Sequence, residues 1–336
     1  MTARPARNGS LIAPARELEI AELGSAAGSE QHGADGDLAV RTLSATLRLE
    51  GGVARVVRDR ILPVLSRPRS REDLLDELSD LPAAEIERLL RLLLDAGVLV
   101  ELHDEVPGWL GMVTSSARDR EAFAARLAAL RVVLIGQAEV AGAVAAALAA
   151  ARVPPEQVVR ASYPRQRDEL PALVAGTDLV VAIGDGAFPV LHPWVNAAGL
   201  RSGVPTLHAE VRGARATVGP LVLPGEGPCY LCWRMRALAC QEDFDAVMAL
   251  EEAMDARRTP DAARPLLPAL LPMVTGALVA ELFALTLRIA QPRLVAGVLT
   301  LDGLDGAETL HPILPRPDCP VCAKKVRRPD PQQSPA

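Results

Sequence analysis

A chain of 336 residues has room for two domains with cores of their own, and 49% hydrophobic with 23% charged residues is the balance of an ordinary globular fold. A formal net charge of −6 and a pI near 5.5 argue against a broad phosphate-binding surface, so nucleic acid is not an expected partner. Aromatic residues reach only 3%, which leaves Leu, Val and Ala to build the cores.

Residues 1–16 read as a disordered tail, without the apolar run and cleavage site of a secretory signal. Leu18 to Leu23 alternates weakly, as a short strand does, and Leu38 to Leu43 and Ala45 to Leu49 read as two more. Gly51-Gly52 stops the last of these. Val53, Val56, Val57, Ile61, Leu62 and Leu65 then recur at helical spacing. Ser70 followed by Asp73 makes an N-cap with an acidic third position and opens a short helix to Leu78. A third helix starts near Pro82, carries Ile86, Leu89, Leu90, Leu93 and Leu94 on its apolar face, and closes at Gly97. Val98 to Val100 is a short strand behind it.

Strands, three helices and a final strand make residues 17–105 a winged-helix-like module. Its last helix sets Glu85, Glu87 and Asp95 beside Arg88 and Arg91, a mixed face that binds phosphate poorly. A module of this shape can instead accept an extended peptide as an added strand, with anchors in the groove beside a helix.

Residues 106–130 read as a linker and a helix, the helix running from Asp119 to Leu130. Arg131 to Gly136 is then a buried, parallel-type strand ending in glycine. An Ala-rich helix to Ala151 follows, with further strands at Val158-Val159, Thr177 to Gly184 and Val204 to Ala209. This alternation predicts a doubly wound α/β sheet within residues 131–326. Met235 to Ala256 reads as one amphipathic helix, Thr259 to Pro272 as a Pro-rich connector, Met273 to Ala290 as a long apolar helix and Val295 to Leu301 as a late strand. Residues 327–336 read as a second disordered tail. The longest apolar run, Leu266 to Ala284, is interrupted by Pro268, Pro272 and Glu281, so no membrane span is expected.

The cysteines carry the sharpest signal. Four of the five fall in two knuckles, Gly227-Pro228-Cys229-Tyr230-Leu231-Cys232 and Asp318-Cys319-Pro320-Val321-Cys322. Two residues between cysteines let one tight turn aim both sulfurs at a single centre, and two such turns supply the thiolates of a closed tetrahedral zinc site. Paired disulfides or unrelated buried thiols are the alternatives. Cys229, Cys232, Cys319 and Cys322 are therefore candidate ligands of a structural zinc, one with no open position for catalysis. Unpaired thiols fit a reducing cytoplasm, the expected location. Cys240 is left over, a candidate nucleophile to be weighed against a small buried hydrophobe. His192 and His208 read as structural, Asp302 and Asp305 as turn residues, and Glu251-Glu252 as a solvated helix face. His311 lies near the second knuckle, but four thiolates already fill a tetrahedron.

Gly136-Gln137-Ala138-Glu139-Val140-Ala141-Gly142 stands where a nucleotide loop would. Alanines at 138 and 141 and a carboxylate at the helix start oppose phosphate. No acid ends the next strand, Val158-Val159-Arg160-Ala161-Ser162, to hold a ribose, and the only lysines are Lys324 and Lys325. ATP is not an expected cofactor.

Asp178-Leu179-Val180-Val181-Ala182-Ile183, Gly203-Val204-Pro205, Val218 to Cys232 and Cys319 to Cys322 follow the order seen in E1-like proteins of the ThiF/MoeB type. The chain resembles them over about residues 130–322. Those enzymes adenylate the C-terminus of a ubiquitin-like sulfur carrier and carry a four-cysteine zinc staple. The zinc cysteines carry over; the ATP-site glycines, the arginine–lysine clamp and the ribose acid find no counterpart. With the module ahead of it, the chain is similar to the ThiF-like partner proteins of azole and azoline peptide biosynthesis.

That resemblance implies a RiPP recognition element to which the leader of a precursor peptide adds as a strand. Thr46, Leu47, Arg48 and Leu49 would be its pairing edge, and Ile86, Leu89, Leu90 and Leu93 the groove wall. It also implies docking to a YcaO-type cyclodehydratase that uses ATP, with this chain a non-catalytic scaffold, and dimers or partner complexes. The alternative is an active E1-like enzyme that adenylates a peptide or carrier C-terminus with Mg-ATP and employs Cys240.

Overall fold

Chain segments of alternating and of continuous hydrophobicity become strands, but the earliest strand lies further forward than the sequence suggests. A computed structural model describes residues 11–15, 18–23, 37–42, 46–102, 109–110, 113–114, 117–257 and 265–323. Residues 1–10, 258–264 and 324–336, which include the larger part of the first expected tail, part of the Pro-rich connector and the whole second tail, lie outside the described residues. The chain divides into two compact units, Met1–Ala125 and Arg126–Ala336.

The first unit runs β1 (Leu11–Pro14), β2 (Glu19–Leu23), β3 (Asp37–Arg41), β4 (Thr46–Leu49), α1 (Gly51–Val56), a π-helical turn (Val57–Ile61) and α2 (Leu62–Val64). It continues through β5 (Arg69–Ser70), α3 (Arg71–Glu77), α4 (Ala83–Asp95) and β6 (Leu99–Leu102). Residues 11–14 were expected in a disordered tail and are instead the central strand of an antiparallel sheet, β5-β1-β6, with Ile12 fully buried. Four residues are too few for a period of two to stand out. The second sheet, β2-β3-β4, is antiparallel, with Leu38 opposite Leu49 and Val40 opposite Leu47, and β4 is an outer strand.

One core joins these sheets to the helices: Ile12, Leu38 and Val40 pack with Val57, Ile61, Leu74, Leu90 and Leu93. The Ser70 hydroxyl accepts from the Asp73 N–H at 3.1 Å, the cap that the sequence predicts for α3. Gly97, at φ 70°, takes the left-handed turn that ends α4.

α5 (Ala117–Ala129) crosses the division between the units. The second unit continues with β7 (Val132–Gly136), α6 (Ala138–Ala150), β8 (Val158–Ala161), α7 (Leu170–Val174), β9 (Leu179–Gly184), α8 (Leu191–Ser202), β10 (Thr206–Arg212) and β11 (Arg215–Val222). Then come α9 (Tyr230–Ala239), α10 (Phe244–Arg257), α11 (Leu270–Leu287), β12 (Gly297–Asp302) and β13 (Glu308–Pro312). They build a seven-stranded sheet of order β13-β12-β11-β10-β9-β7-β8.

Strands β8, β7, β9 and β10 are parallel, and β7 and β9 are buried along their whole length, as continuous apolar runs require. The remaining strands are antiparallel, so the sheet is mixed and only part of it follows the doubly wound expectation. Gly219 and Pro220 interrupt the apolar pattern of β11, and every residue of β13 is exposed, which removes the alternation that would reveal them.

The single helix expected over Met235 to Ala256 is two. Asp243 accepts from the Ala246 N–H at 2.9 Å and starts a new helix in mid-pattern. α11 is long and apolar enough to cross a membrane by length and composition. Here it packs on α6 and β11, burying Leu270, Val274, Leu278, Leu282 and Leu287. Its buried Glu281 accepts from the backbone N–H groups of Arg293 and Leu294, each at 3.1 Å, and so holds the approach to β12.

Candidate functional site

The two knuckles, far apart in sequence, meet. The ligand atoms of Cys229, Cys232, Cys319 and Cys322 all lie within 4.8 Å of one another. Cys229 Sγ is 3.7 Å from Cys319 Sγ, and Cys232 Sγ is 3.4 Å from Cys322 Sγ. Zn–S bonds of about 2.3 Å place neighbouring sulfurs of a tetrahedron about 3.8 Å apart, so the spacing suits such an ion. The first knuckle is positioned by buried Asn196 on α8, whose Oδ1 accepts from the Tyr230 N–H at 3.1 Å at the start of α9. At the second, the Arg316 N–H donates to Cys232 Sγ at 3.4 Å. Burial pushes the Cys229 thiol up to about 11. At Cys319 burial is outweighed by the N–H groups of Cys322 and Val321, which bring it down to about 7. His311 stays outside the cluster and lies 3.0 Å from Thr300 Oγ1.

Tyr230 connects this centre to a chain of buried polar side chains. Its ring stacks on His192 at 5.0 Å and lies 4.6 Å from that of His208. Thr206, His208 and Glu210 alternate along β10 and face His192 of α8. One tautomer set satisfies every bond, with both imidazoles neutral. Thr206 Oγ1 donates to His208 Nε2 at 3.1 Å, His208 Nδ1 to His192 Nδ1 at 3.2 Å, and His192 Nε2 to Glu210 Oε2 at 2.8 Å. Burial, then the neighbouring His192, keeps His208 well below the usual histidine range. Burial raises the Glu210 carboxyl, but His192 and Arg212 outweigh it and hold it low. Both histidines are buried and hydrogen-bonded within this chain of side chains. Glu251 corrects that reading: it pairs with Arg234 and is not a solvated acid.

The loop after β7 serves the fold in ways the nucleotide motif does not require. Gly136 has φ +119°, and a Cβ there would sit 2.0 Å from the Ile183 carbonyl oxygen and 3.2 Å from the Tyr163 ring. Only glycine fits, because β9 and Tyr163 press on that point. The Gln137 side chain caps α6, its Oε1 accepting from the Val140 N–H at 2.7 Å. That N–H is one a phosphate at the helix start would use. Tyr163 follows β8 and packs on Phe188, which follows β9, at 5.7 Å, beyond the carboxyl ends of these parallel strands.

In the first unit, Thr46, Leu47, Arg48 and Leu49 form β4, whose outer edge has no strand partner among the described residues. Leu47 and Leu49 pack toward the core, while Thr46 and Arg48 are exposed. Beside the end of β4 lies a cavity of about 350 Å³. Ile61, Leu78 and Ile86 form its buried floor, Leu89 stands in its wall, and Val53 and Leu92, 43% and 57% exposed, are its lips. Glu50, Glu85 and Arg88 complete the rim. Of the wall residues implied by the resemblance, Ile86 and Leu89 line the cavity, whereas Leu90 and Leu93 are buried in the core. Val53 and Leu92, which the resemblance did not implicate, line it as well.

Asp37 fixes the corner where β4 passes into α1. It is 3% exposed and accepts from the Gly51 N–H at 3.0 Å and from Arg48 Nη2 at 2.7 Å. The Gly51 N–H, then Arg48, holds its carboxyl below the usual carboxylate range. A depressed folded value means that the stabilisation is complete above the unfolded value of about 4 and fades as pH falls through the folded one. Asp37→Asn is therefore expected to speed hydrogen exchange at the Gly51 amide at neutral pH, with the gap from wild type closing only below pH about 4. Equal exchange in both proteins at pH 7 would show that the corner does not depend on this carboxylate.

Cys240 lies apart from the thiol cluster, exposed at the C-terminal end of α9. No protein-family profile matches the chain, and no curated protein matches it. Solved structures do match. The heterocyclase TruD superposes with a TM-score of 0.62 at 19% identity, over 94% of this chain and 43% of its own. A heterocyclase in complex with substrate and cofactor gives 0.63 at 18% identity, over 93% and 39%. E. coli MccB with succinimide gives 0.56 at 15% identity, over 93% of this chain and 99% of MccB, a protein also solved with MccA and with ATP. The mixed α/β fold with its large sheet is the fold of these neighbours. The chain spans about two-fifths of the heterocyclases it matches and nearly all of MccB.

Proposed function

We propose, from a fold shared with heterocyclases and with MccB, that this chain is a non-catalytic recognition protein of azoline and azole peptide biosynthesis. Its first unit acts as a winged-helix-like recognition element that takes the leader of a ribosomal precursor peptide as an added strand on β4. Its second unit serves as the platform on which a YcaO-type cyclodehydratase docks and receives the core peptide. Delivery raises the local substrate concentration by tethering. Cys229, Cys232, Cys319 and Cys322 hold a zinc ion whose role is to staple the knuckles to the sheet. The reaction belongs to the partner, and the work is done in the cytoplasm.

The observation that carries this reading is the outer edge of β4, which is followed by Glu50 on the rim of an apolar cavity. Main-chain pairing along an edge strand, with pockets for alternate side chains, is a recurring way to hold an extended peptide. Names of the neighbours agree: TruD is a heterocyclase, and MccB was solved with MccA. A second reading, adenylation with Mg-ATP, draws on MccB having been solved with ATP. Against it speaks the Gln137 cap on α6, which already takes the Val140 N–H that a phosphate at the helix start would use.

The test is a titration of the full chain into a fluorescein-labelled leader peptide, made from the precursor gene beside its own and followed by anisotropy. Binding at micromolar or tighter concentrations, unchanged by ATP, is the expected result. Absence of binding, together with peptide-dependent release of pyrophosphate from ATP, would replace this reading with the adenylating enzyme.

A further inference from the structure

Two close sulfur contacts in the four-thiol centre run from one knuckle to the other. Cys232 Sγ lies 3.4 Å from Cys322 Sγ and Cys229 Sγ 3.7 Å from Cys319 Sγ, each pair 90 residues apart in the chain. A disulfide bond is about 2.05 Å long, so joining Cys232 to Cys322 draws their sulfurs together by only about 1.4 Å. Access to the centre is one-sided. Cys229, Cys232 and Cys319 are at most 2% exposed, whereas Cys322 is half-buried and its neighbour Val321 is 42% exposed. A small solute therefore meets Cys322 first. The Arg316 N–H donates to Cys232 Sγ at 3.4 Å and holds the other sulfur of that pair in place. A metal ligand of this kind is a thiolate, which is also the form of sulfur that peroxides oxidise.

We propose that the four-thiol centre is an oxidative modification site, at which a peroxide joins Cys232 to Cys322 across the knuckles and displaces the ion. This rests on the zinc reading given above and adds a second state to that centre. The Cys322 thiolate attacks one peroxide oxygen and breaks the O–O bond, giving a sulfenic acid and, with a proton from solvent, water. The Cys232 thiolate then attacks the sulfenic sulfur, forms the S–S bond and, with a second proton, releases another water. The two sulfurs lose two electrons and the peroxide gains them, while the zinc ion keeps its charge. Left with two thiolates in place of four, zinc departs, and Cys229 and Cys319 form the second bridge by the same steps. Each bond across the knuckles joins cysteines 90 residues apart and so restricts the unfolded chain far more than a bond within a knuckle. The oxidised centre thus goes on stapling the knuckles after the metal has left. A thiol reductant with zinc restores the first state, so in a reducing compartment the bond is transient.

The experiment uses the full chain with Cys240→Ser, so that the exposed fifth thiol does not react. The reduced chain is assayed for zinc, and hydrogen peroxide is added in steps while a chromogenic chelator reports the zinc released. Material that runs as a single chain on a non-reducing gel is then digested with trypsin without reduction. No Arg or Lys separates the cysteines of either knuckle, so a bridge across the knuckles joins two peptides and a bond within a knuckle does not. Fragmentation of the joined peptides by mass spectrometry assigns the pairs. Zinc release in step with a Cys232–Cys322 bond, followed by Cys229–Cys319 and reversed by dithiothreitol with zinc, is the expected result. The oxidised chain should also melt above the reduced chain stripped by a chelator. Separate peptides with bonds inside each knuckle, or sulfinic acids without disulfide, would overturn the proposed pairing. Zinc retained on intact thiols in excess peroxide would overturn the modification site altogether. A reduced chain that holds no zinc and takes none up would instead remove the metal reading on which the proposal rests.

Discussion

Removing the metal from the four-thiol centre, or replacing Cys319 with serine, is expected to lower the stability of the second unit by several kcal/mol. The knuckle that Cys229 and Cys232 form leads into α9, and Cys229, Cys232, Cys319, Val222 and Tyr230 make a buried cluster of their own. Without an ion, that cluster must bury four thiols side by side, with nothing to offset the burial that raises Cys229. Tyr230 passes the effect on, because its ring supports both His192 and His208. The loss stays below the ~10–16 kcal/mol of a small zinc finger, since the seven-stranded sheet keeps a core that needs no metal. Elemental analysis together with thermal unfolding, with and without a chelator, measures it. Cys240→Ser, exposed and apart from the cluster, is the control that should melt like wild type. Because the ligands bind as thiolates, acidification should release the metal and mimic the chelator. A chain that purifies without metal and melts at the same temperature with chelator would reduce the knuckles to paired buried thiols.

The four-cysteine cluster was legible because its signal is local: two residues between cysteines set the turn, and only the meeting of the knuckles had to be assumed. The parallel strands were legible for a similar reason, as β7 and β9 are buried on both faces and read as unbroken apolar runs. What the sequence hid depends on long-range partners. β1 is a strand because β5 and β6 flank it, not because of its own pattern. Gly136 suggested a phosphate loop, whereas its reason in the fold is the Ile183 carbonyl, a contact between strands that sequence spacing does not show. The chain through Thr206, His208 and Glu210 was visible as polar alternation inside a buried strand, but its closure on His192 required the fold. In α4, helical periodicity identified an apolar face without saying which leucines point into the core and which line a groove.

That last distinction yields the second large effect. Leu90→Ala is expected to destabilise the first unit by about 2–5 kcal/mol, because Leu90 is fully buried among Ile12, Leu38 and Val57 and its removal leaves a cavity. Leu92→Ala, two residues on and 57% exposed, should leave stability within about 0.5 kcal/mol of wild type. For binding the order reverses. Leu92 is a lip of the groove, so its truncation weakens capture of the leader peptide severalfold with folding intact, while Leu90→Ala affects binding only as far as it unfolds the unit. Urea unfolding followed by hydrogen exchange in α4, paired with anisotropy titrations at a temperature where both variants are folded, separates the two effects. If a folded Leu90→Ala protein failed to bind while Leu92→Ala bound like wild type, the peptide would have to enter the core side of α4, and the groove would not be its site. The opposite pattern follows from helix geometry: residues two apart stand on different sides of α4, so one leucine can serve the fold and the other the ligand.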